Sequence, residues 1–289
     1  MSSYYMFIAS FTAITAIGAL GTFVLTGLTG LFSLGQAAFM GVGAYVAALA
    51  AVHLHWGFAA STLAGVAVAL LLAYPIGYAT LKLRQDYFAL ATFGFGEAIR
   101  AFMNESVQVT GGAMGMSGVP KFTTPGLTLA FLVLAVWLVR NLKASKFGRD
   151  CLAIRSDPTA AGALGVDTFG CRMRVFLFAA ALAALAGALM AFLTTYVEPA
   201  MFGWMRSAEW IIMVFFGGRY SLTGSLLGIG LLSALPEVLR FASELRSGLY
   251  CIIILLIINF KPAGLLGRWE LSWDLVRQRK AAEGGRAGA

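Results

Sequence analysis

No formally charged side chain occurs between Met1 and Leu81: the first basic residue is Lys82 and the first acidic one is Asp86. An ordinary soluble domain devotes roughly a quarter of its residues to charge, so a stretch of this length without any excludes a water-soluble fold. The scarcity extends to the whole chain, in which 12% of 289 residues are charged and 60% are hydrophobic. Histidine is limited to His53 and His55, beside Trp56, and without a neighbouring carboxylate or cysteine the two make a poor metal site. The cysteines are Cys151, Cys171 and Cys251. No two of them have the spacing of a metal or redox motif, and they are expected to serve as packing residues. The chain also lacks Gly-x-x-x-x-Gly-Lys-[Ser/Thr], so it has no phosphate-binding loop of the usual kind. No nucleophile, base and orienting group converge either. The expectation is a protein without enzymatic activity or cofactor of its own, any ATP that drives it being bound by partner subunits. No basic region precedes the first apolar run, so the N-terminus is expected to remain as a membrane helix rather than to leave as a signal peptide.

What the chain does contain is apolar sequence in long runs. A helix needs about 20 apolar residues to cross about 30 Å of hydrocarbon, and residues 6–28, 58–81, 122–139 and 175–197 are uncharged runs of that scale. The fold class is therefore all-α and polytopic, with about eight transmembrane helices and one or two re-entrant elements. Residues 1–270 form the expected membrane domain, and the Gly/Ala-rich end, residues 271–289, is expected to be a disordered tail. Residues 220–236 and 247–260 are two further apolar runs near the end. Ala180, Ala184 and Ala188, beside Gly187, place small residues on one face of a helix, as close helix packing in lipid requires.

Three apolar stretches do not read as simple spans. Residues 31–52 are interrupted by Gly35, Gly41 and Gly43, residues 87–99 contain Gly94, Gly96 and Glu97, and residues 210–218 are too short. Irregular backbone at membrane depth is tolerated where protein buries it or it lines a wet cavity. On that ground Gln36, Gly41, Tyr87, Phe88, Glu97, Gly217 and Gly218 are candidates for the lining of a translocation path. The other reading of the glycines is close helix packing. Glu97 has Arg100 one helical turn away and is expected to pair with it; a self-sufficient carrier or channel using Glu97 is the alternative to that reading.

The formal net charge is +8, and the positive residues fall in loops. Lys143, Lys146, Arg149, Arg155, Arg172 and Arg174 share one segment, while Lys261, Arg268, Arg277, Arg279, Lys280 and Arg286 follow the last apolar run. Such a bias places residues 143–174 and the C-terminus in the cytoplasm and residues 104–121 outside. The basicity reports topology, with the lipid bilayer and not nucleic acid as partner. Within the cytoplasmic segment, Asp157 can cap a short helix, Pro158 suits its first turn and Gly165 can end it.

These stretches carry a resemblance. Leu31-Phe32-Ser33-Leu34-Gly35-Gln36-Ala37-Ala38-Phe39, Gly41-Val42-Gly43-Ala44-Tyr45, Asp86-Tyr87-Phe88-Ala89, Phe95-Gly96-Glu97, Thr110-Gly111-Gly112 and Gly118-Val119-Pro120 stand in an order to which Phe147-Gly148-Arg149, Ala153-Ile154-Arg155-Ser156-Asp157, Leu164-Gly165-Val166, Gly217-Gly218 and Lys261-Pro262-Ala263-Gly264-Leu265-Leu266 belong. From about residue 27 to residue 267 the chain resembles the branched-chain amino acid permease family of ATP-binding-cassette importers, in its LivM-type subunit. The resemblance implies a homologous second permease subunit, two cytoplasmic ATPase subunits and an external solute-binding protein. It also implies a coupling helix at residues 157–165 that docks on an ATPase, with Arg155, Asp157, Ala160, Ala161, Leu164 and Gly165 at the contact. Branched-chain amino acids are the implied solute, although urea and amide importers use similar permeases. Gln36 stands where many relatives have His, and Thr159 and Gly162 where acidic or longer residues are common. Tyr220 replaces a glycine; since tyrosine follows glycine into positive φ only with strain, the backbone there is expected to differ.

Overall fold

The structure, a computed structural model, describes residues 2–238 together with Leu255, Gly264, Leu265 and Gly267. The 271–289 tail and most of the 247–260 run lie outside the described residues. Helix α1 (Ser2–Phe23) continues through a π-helical turn at Val24–Leu28, and α2 (Gln36–His53) and α3 (Phe58–Thr80) follow. Then come α4 (Gln85–Glu105), the single turn α5 (Val107–Thr110) and α6 (Pro125–Ala144). After them stand α7 (Lys146–Ser156), α8 (Pro158–Ala163), α9 (Thr168–Thr194), α10 (Trp204–Gly217) and α11 (Leu222–Val238). Polar residues punctuate the helices. Thr124 caps α6 by accepting from Leu127 N, Ser145 ends α6 and caps α7 through Gly148 N, and Asp167 caps α9 through Gly170 N.

Five helices among the described residues are long and apolar enough to cross a membrane: Tyr4–Leu28, α2, α3, α6 and α9. This makes the chain a mostly helical, multi-pass membrane protein. The apolar window is 78% buried in α1, α2 and α9 but only 28% in α3 and 17% in α6, so the first three form the centre and the other two the wall. The outward side chains of that wall, Leu63, Leu71 and Tyr74 on α3 and Leu129, Val133 and Trp137 on α6, are apolar and exposed. Water would reject such a face and hydrocarbon accepts it.

The centre is held by backbone-to-backbone contact between α2 and α9. A Cβ on Gly43 would overlap the Ala184 carbonyl, and one on Gly187 would overlap the Met40 carbonyl. Ala180, Ala184 and Ala188 are fully buried, as are Ala44, Ala47 and Ala48 on the facing helix. Lipid supplies no hydrophobic drive between helices, so this close approach is what van der Waals attraction needs.

Two expectations are corrected. The glycines of residues 31–52 interrupt nothing after Gly35: α2 runs unbroken through Gly41 and Gly43, because these residues are where a neighbour comes too close for a side chain. Helix α4 is likewise continuous through Gly94 and Gly96. It buries one face, with Phe88, Thr92, Gly96 and Met103 inward, and Thr92 Oγ1 accepts a 3.2 Å bond from Leu34 N in the irregular stretch before α2. The stretch at residues 210–218 belongs to α10, which spans 14 residues, or about 21 Å at 1.5 Å per residue. Helix α11 doubles back against it, with Gly217 meeting Gly224 and Gly228 meeting Met213 O.

The chain alternates between two ends. At one, Met116–Ser117 and Tyr196–Val197 pair as a two-stranded antiparallel sheet, Met116 opposite Val197 and Ser117 opposite Tyr196. At the other lie α7, α8 and the basic residues around them. Residues 116–117, in the segment expected outside, thereby meet the residues that follow α9.

Gly187→Ala is expected to destabilise the protein by about 1–3 kcal/mol, since backbone has to move to admit the methyl group. Gly94→Ala, whose Cβ would meet nothing within 4 Å, is expected to leave the unfolding temperature in detergent unchanged.

Candidate functional site

The residues singled out around α8 come together at the basic end. Asp157 caps α8, its Oδ1 accepting from Thr159 N at 2.8 Å and Ala160 N at 3.1 Å. Gly165 ends the turn at φ +83° with open space around it, a conformation that suits glycine. Ala160 is exposed, and Leu164 is 85% exposed. Ala161, by contrast, is only 2% exposed. The expectation that Ala160 and Ala161 both face a partner is thereby corrected: Ala161 seats α8 on its own chain, whereas Pro158, Thr159, Ala160, Gly162, Ala163 and Leu164 are exposed.

Arg155 also differs from expectation. Expected at the contact with an ATPase, it reaches back into the bundle: Nη1 donates to the Gly27 carbonyl and the guanidinium lies 4.8 Å from the centre of the Tyr220 ring. Gly27 lies within the π-helical continuation of α1, Val24–Leu28, where the irregular turn loosens the regular hydrogen bonding of the helix and leaves carbonyls to be satisfied. Gln85 Nε2 donates to Gly30 O in the same stretch, and Lys143 Nζ donates to Tyr220 O at 2.9 Å. Tyr220 thus belongs to a polar clasp joining α7 to α1 and α10. Positive φ among the non-glycine described residues occurs at His55 and Thr195, so Tyr220 is unstrained and Gly218, at φ +121°, takes the unusual conformation.

Cys151 and Cys171 are buried and free. Burial pushes the Cys151 thiol up to about 12, which leaves it protonated and unreactive at neutral pH, in keeping with a packing role.

The path candidates do not converge on one site. Phe88 is fully buried, edge-on to Phe176 with ring centres 6.0 Å apart, whereas its neighbour Tyr87 is 63% exposed. Gly41 lies against Phe202, a Cβ there coming within 3.0 Å of the ring, and Gly217 and Gly218 let α11 and Gly264 approach the end of α10. Glu97 pairs with Arg100 at 2.6 Å, and its other oxygen accepts a long, 3.4 Å bond from Trp204 N at the start of α10. Gln36 is fully buried at the start of α2, and among the described residues neither polar atom of its side-chain amide has a partner. Beside it, Ala37 N donates to Ser207 Oγ on α10 at 2.8 Å.

Sequence reasoning missed a cavity of about 390 Å³ toward the sheet end. It is lined by Phe11, Met40, Met190, Ala200, Met201, Phe202, Gly203, Met205, Arg206 and Glu209. The available signal was an ion pair, Arg206 and Glu209 three residues apart, ahead of an apolar run. Charged residues in such a setting call for a role.

With this geometry in view, comparison with known proteins is decisive. The family described as branched-chain amino acid transport system / permease component matches residues 4–258. The chain belongs to that family. It is 30% identical over 271 residues to the high-affinity branched-chain amino acid transport system permease protein LivM of Salmonella typhimurium, covering 82% of this chain and 64% of the relative. The LivM protein of Escherichia coli K12 is 29% identical over the same shares. The LivH permease protein of that organism is 30% identical over 146 residues, 50% of this chain and 46% of the relative. The chain therefore spans 64% of the length of the LivM relatives it matches. No solved structure matches it.

Tyr220→Ala is expected to lower stability by about 0.5–2 kcal/mol through loss of the guanidinium–ring contact. Arg155→Lys should recover little of the native stability, because an ammonium lacks the flat guanidinium face that stacks on the ring. Thermal unfolding of the purified variants checks both.

Proposed function

We propose that the chain is the membrane-spanning subunit of an ATP-binding-cassette importer, forming the translocation path for branched-chain amino acids or a related small polar solute. The basic end faces the cytoplasm, in line with the positive-inside bias, and receives two ATPase subunits. A homologous permease completes the path, and a solute-binding protein delivers its load at the sheet end. Likeness to both LivM and LivH relatives supports the paired permease, and the relatives' names support the solute class.

The observation that carries this reading is the architecture of α8. Its exposed residues, Pro158, Thr159, Ala160, Gly162 and Ala163, carry only small side chains, and after them Leu164 projects at 85% exposure. A single exposed leucine among Ala160, Gly162 and Ala163 suits insertion of the helix into a groove. Behind that face, buried Ala161 seats α8 against α7 and α9, and Arg155 clasps α7 in turn to Gly27 and Tyr220. Closure of an ATPase against α8 would move the bundle as a rigid body, the standard route from a small interface motion to a large one.

In vesicles containing the complete complex, Ala160→Trp should leave assembly intact but abolish the stimulation of ATP hydrolysis by the loaded binding protein, and uptake should fall with it. Ala161→Trp should instead destabilise the chain itself, by roughly 1–3 kcal/mol. Wild-type stimulation and uptake in Ala160→Trp would exclude α8 as the coupling contact.

A further inference from the structure

The cavity of about 390 Å³ lies among α1, α2, α9 and α10, under the Pro199–Phe202 turn. Its size falls within the range of about 300–1,000 Å³ typical of small-molecule sites. Phe11, Met40, Met190 and Phe202 supply apolar walls from four different parts of the chain. Methionine is unbranched and polarizable, so such walls adapt to apolar groups of differing shape. Into the same space α10 brings one positive and one negative side chain, Arg206 and Glu209.

This pair is incompletely satisfied by the protein. Arg206 Nη1 donates to Glu209 Oε2 at 2.9 Å, Nη2 makes a long, 3.4 Å contact with Thr15 Oγ1, and the guanidinium lies 5.4 Å from the centre of the Phe11 ring. Among the described residues, the remaining guanidinium N–H groups and Glu209 Oε1 have no bond. The Arg206 side chain is nonetheless only 19% exposed, against 39% for Glu209. A largely buried guanidinium retains strong donors for a carboxylate, and the adjoining carboxylate retains an acceptor for an ammonium. A ligand of one sign would satisfy one member and oppose the other.

Resting on the permease reading above, we infer that this cavity is a binding site for a zwitterionic α-amino acid with a branched apolar side chain. Its carboxylate meets Arg206, its ammonium meets Glu209, and its side chain lies against Met40, Met190 and Phe202. The walls thus select an apolar side chain and the pair selects the zwitterion.

The test is equilibrium binding of radiolabelled L-leucine to the purified full-length chain in lipid nanodiscs. Saturable binding is expected, with 4-methylvalerate and isoamylamine, which each keep one charge, competing at least about tenfold more weakly than L-leucine, the loss expected of one charge-assisted contact. Arg206→Gln and Glu209→Gln should each weaken L-leucine by a similar factor, with thermal unfolding confirming that the variants are folded. The competitor series uses the native protein and stands even if a variant does not fold. Absence of saturable binding, equal competition by the singly charged analogues, or native affinity in both folded variants would overturn the site. So would native L-leucine uptake by complexes carrying Arg206→Gln, a result that leaves the permease reading standing. Failure of the native complex to take up any amino acid would instead strike at that reading.

Discussion

The contact between α2 and α9 is the constraint on which the rest of the structure depends. Membrane helices gain nothing by hiding apolar side chains from lipid, so they hold together by proximity. Here the proximity reaches backbone, at Gly43 against Ala184 and Gly187 against Met40. With these two helices locked, α1 and α3 pack on them, and α10 is fixed at the start of α2 through Ser207 and Ala37 N. The cavity lies among α1, α2, α9 and α10, beside the Pro199–Phe202 turn that follows the sheet. Had the glycines been alanines, the helices would have stood further apart and these relations would have shifted.

A second, polar set of contacts connects this core to the basic end. The π-helical turn after α1 and the irregular residues before α2 leave backbone carbonyls at Gly27 and Gly30, which take up Arg155 and Gln85. Tyr220 receives the Arg155 face and accepts from Lys143 through its carbonyl. Several of the basic residues whose number reports topology therefore also join elements here. Helix α8 sits beyond this clasp with its cap and its buried Ala161, its other residues exposed.

Much of this was legible in the sequence. The charge-free stretch to Leu81 announced the membrane, the small residues Ala180, Ala184 and Ala188 announced a close helix contact, and Asp157, Pro158 and Gly165 set the limits of α8 by local capping chemistry alone. Glu97 and Arg100 pair as their spacing implied. Other features depend on tertiary contact and were not legible. A glycine at Gly41 or Gly43 reads identically whether it breaks a helix or admits a neighbour, and the neighbours, Phe202 and Ala184, lie far away in sequence. The inward turn of Ala161 depends on how α8 lies on its neighbours, and the reach of Arg155 to Gly27 spans 128 residues. The cavity is assembled from four separate parts of the chain, and only Arg206 and Glu209 gave it any local signal.

The central claim is that α8 joins an importer's membrane subunit to its ATPase, and the most direct measurement is site-specific photocrosslinking from Leu164 in native membranes. With a photoreactive amino acid replacing Leu164, illumination of intact complexes should yield one dominant adduct with a cytoplasmic ATP-binding subunit, its yield changing when nucleotide is bound. Adducts with lipid alone, or labelling of this position by a membrane-impermeant reagent from outside the cell, would contradict the account.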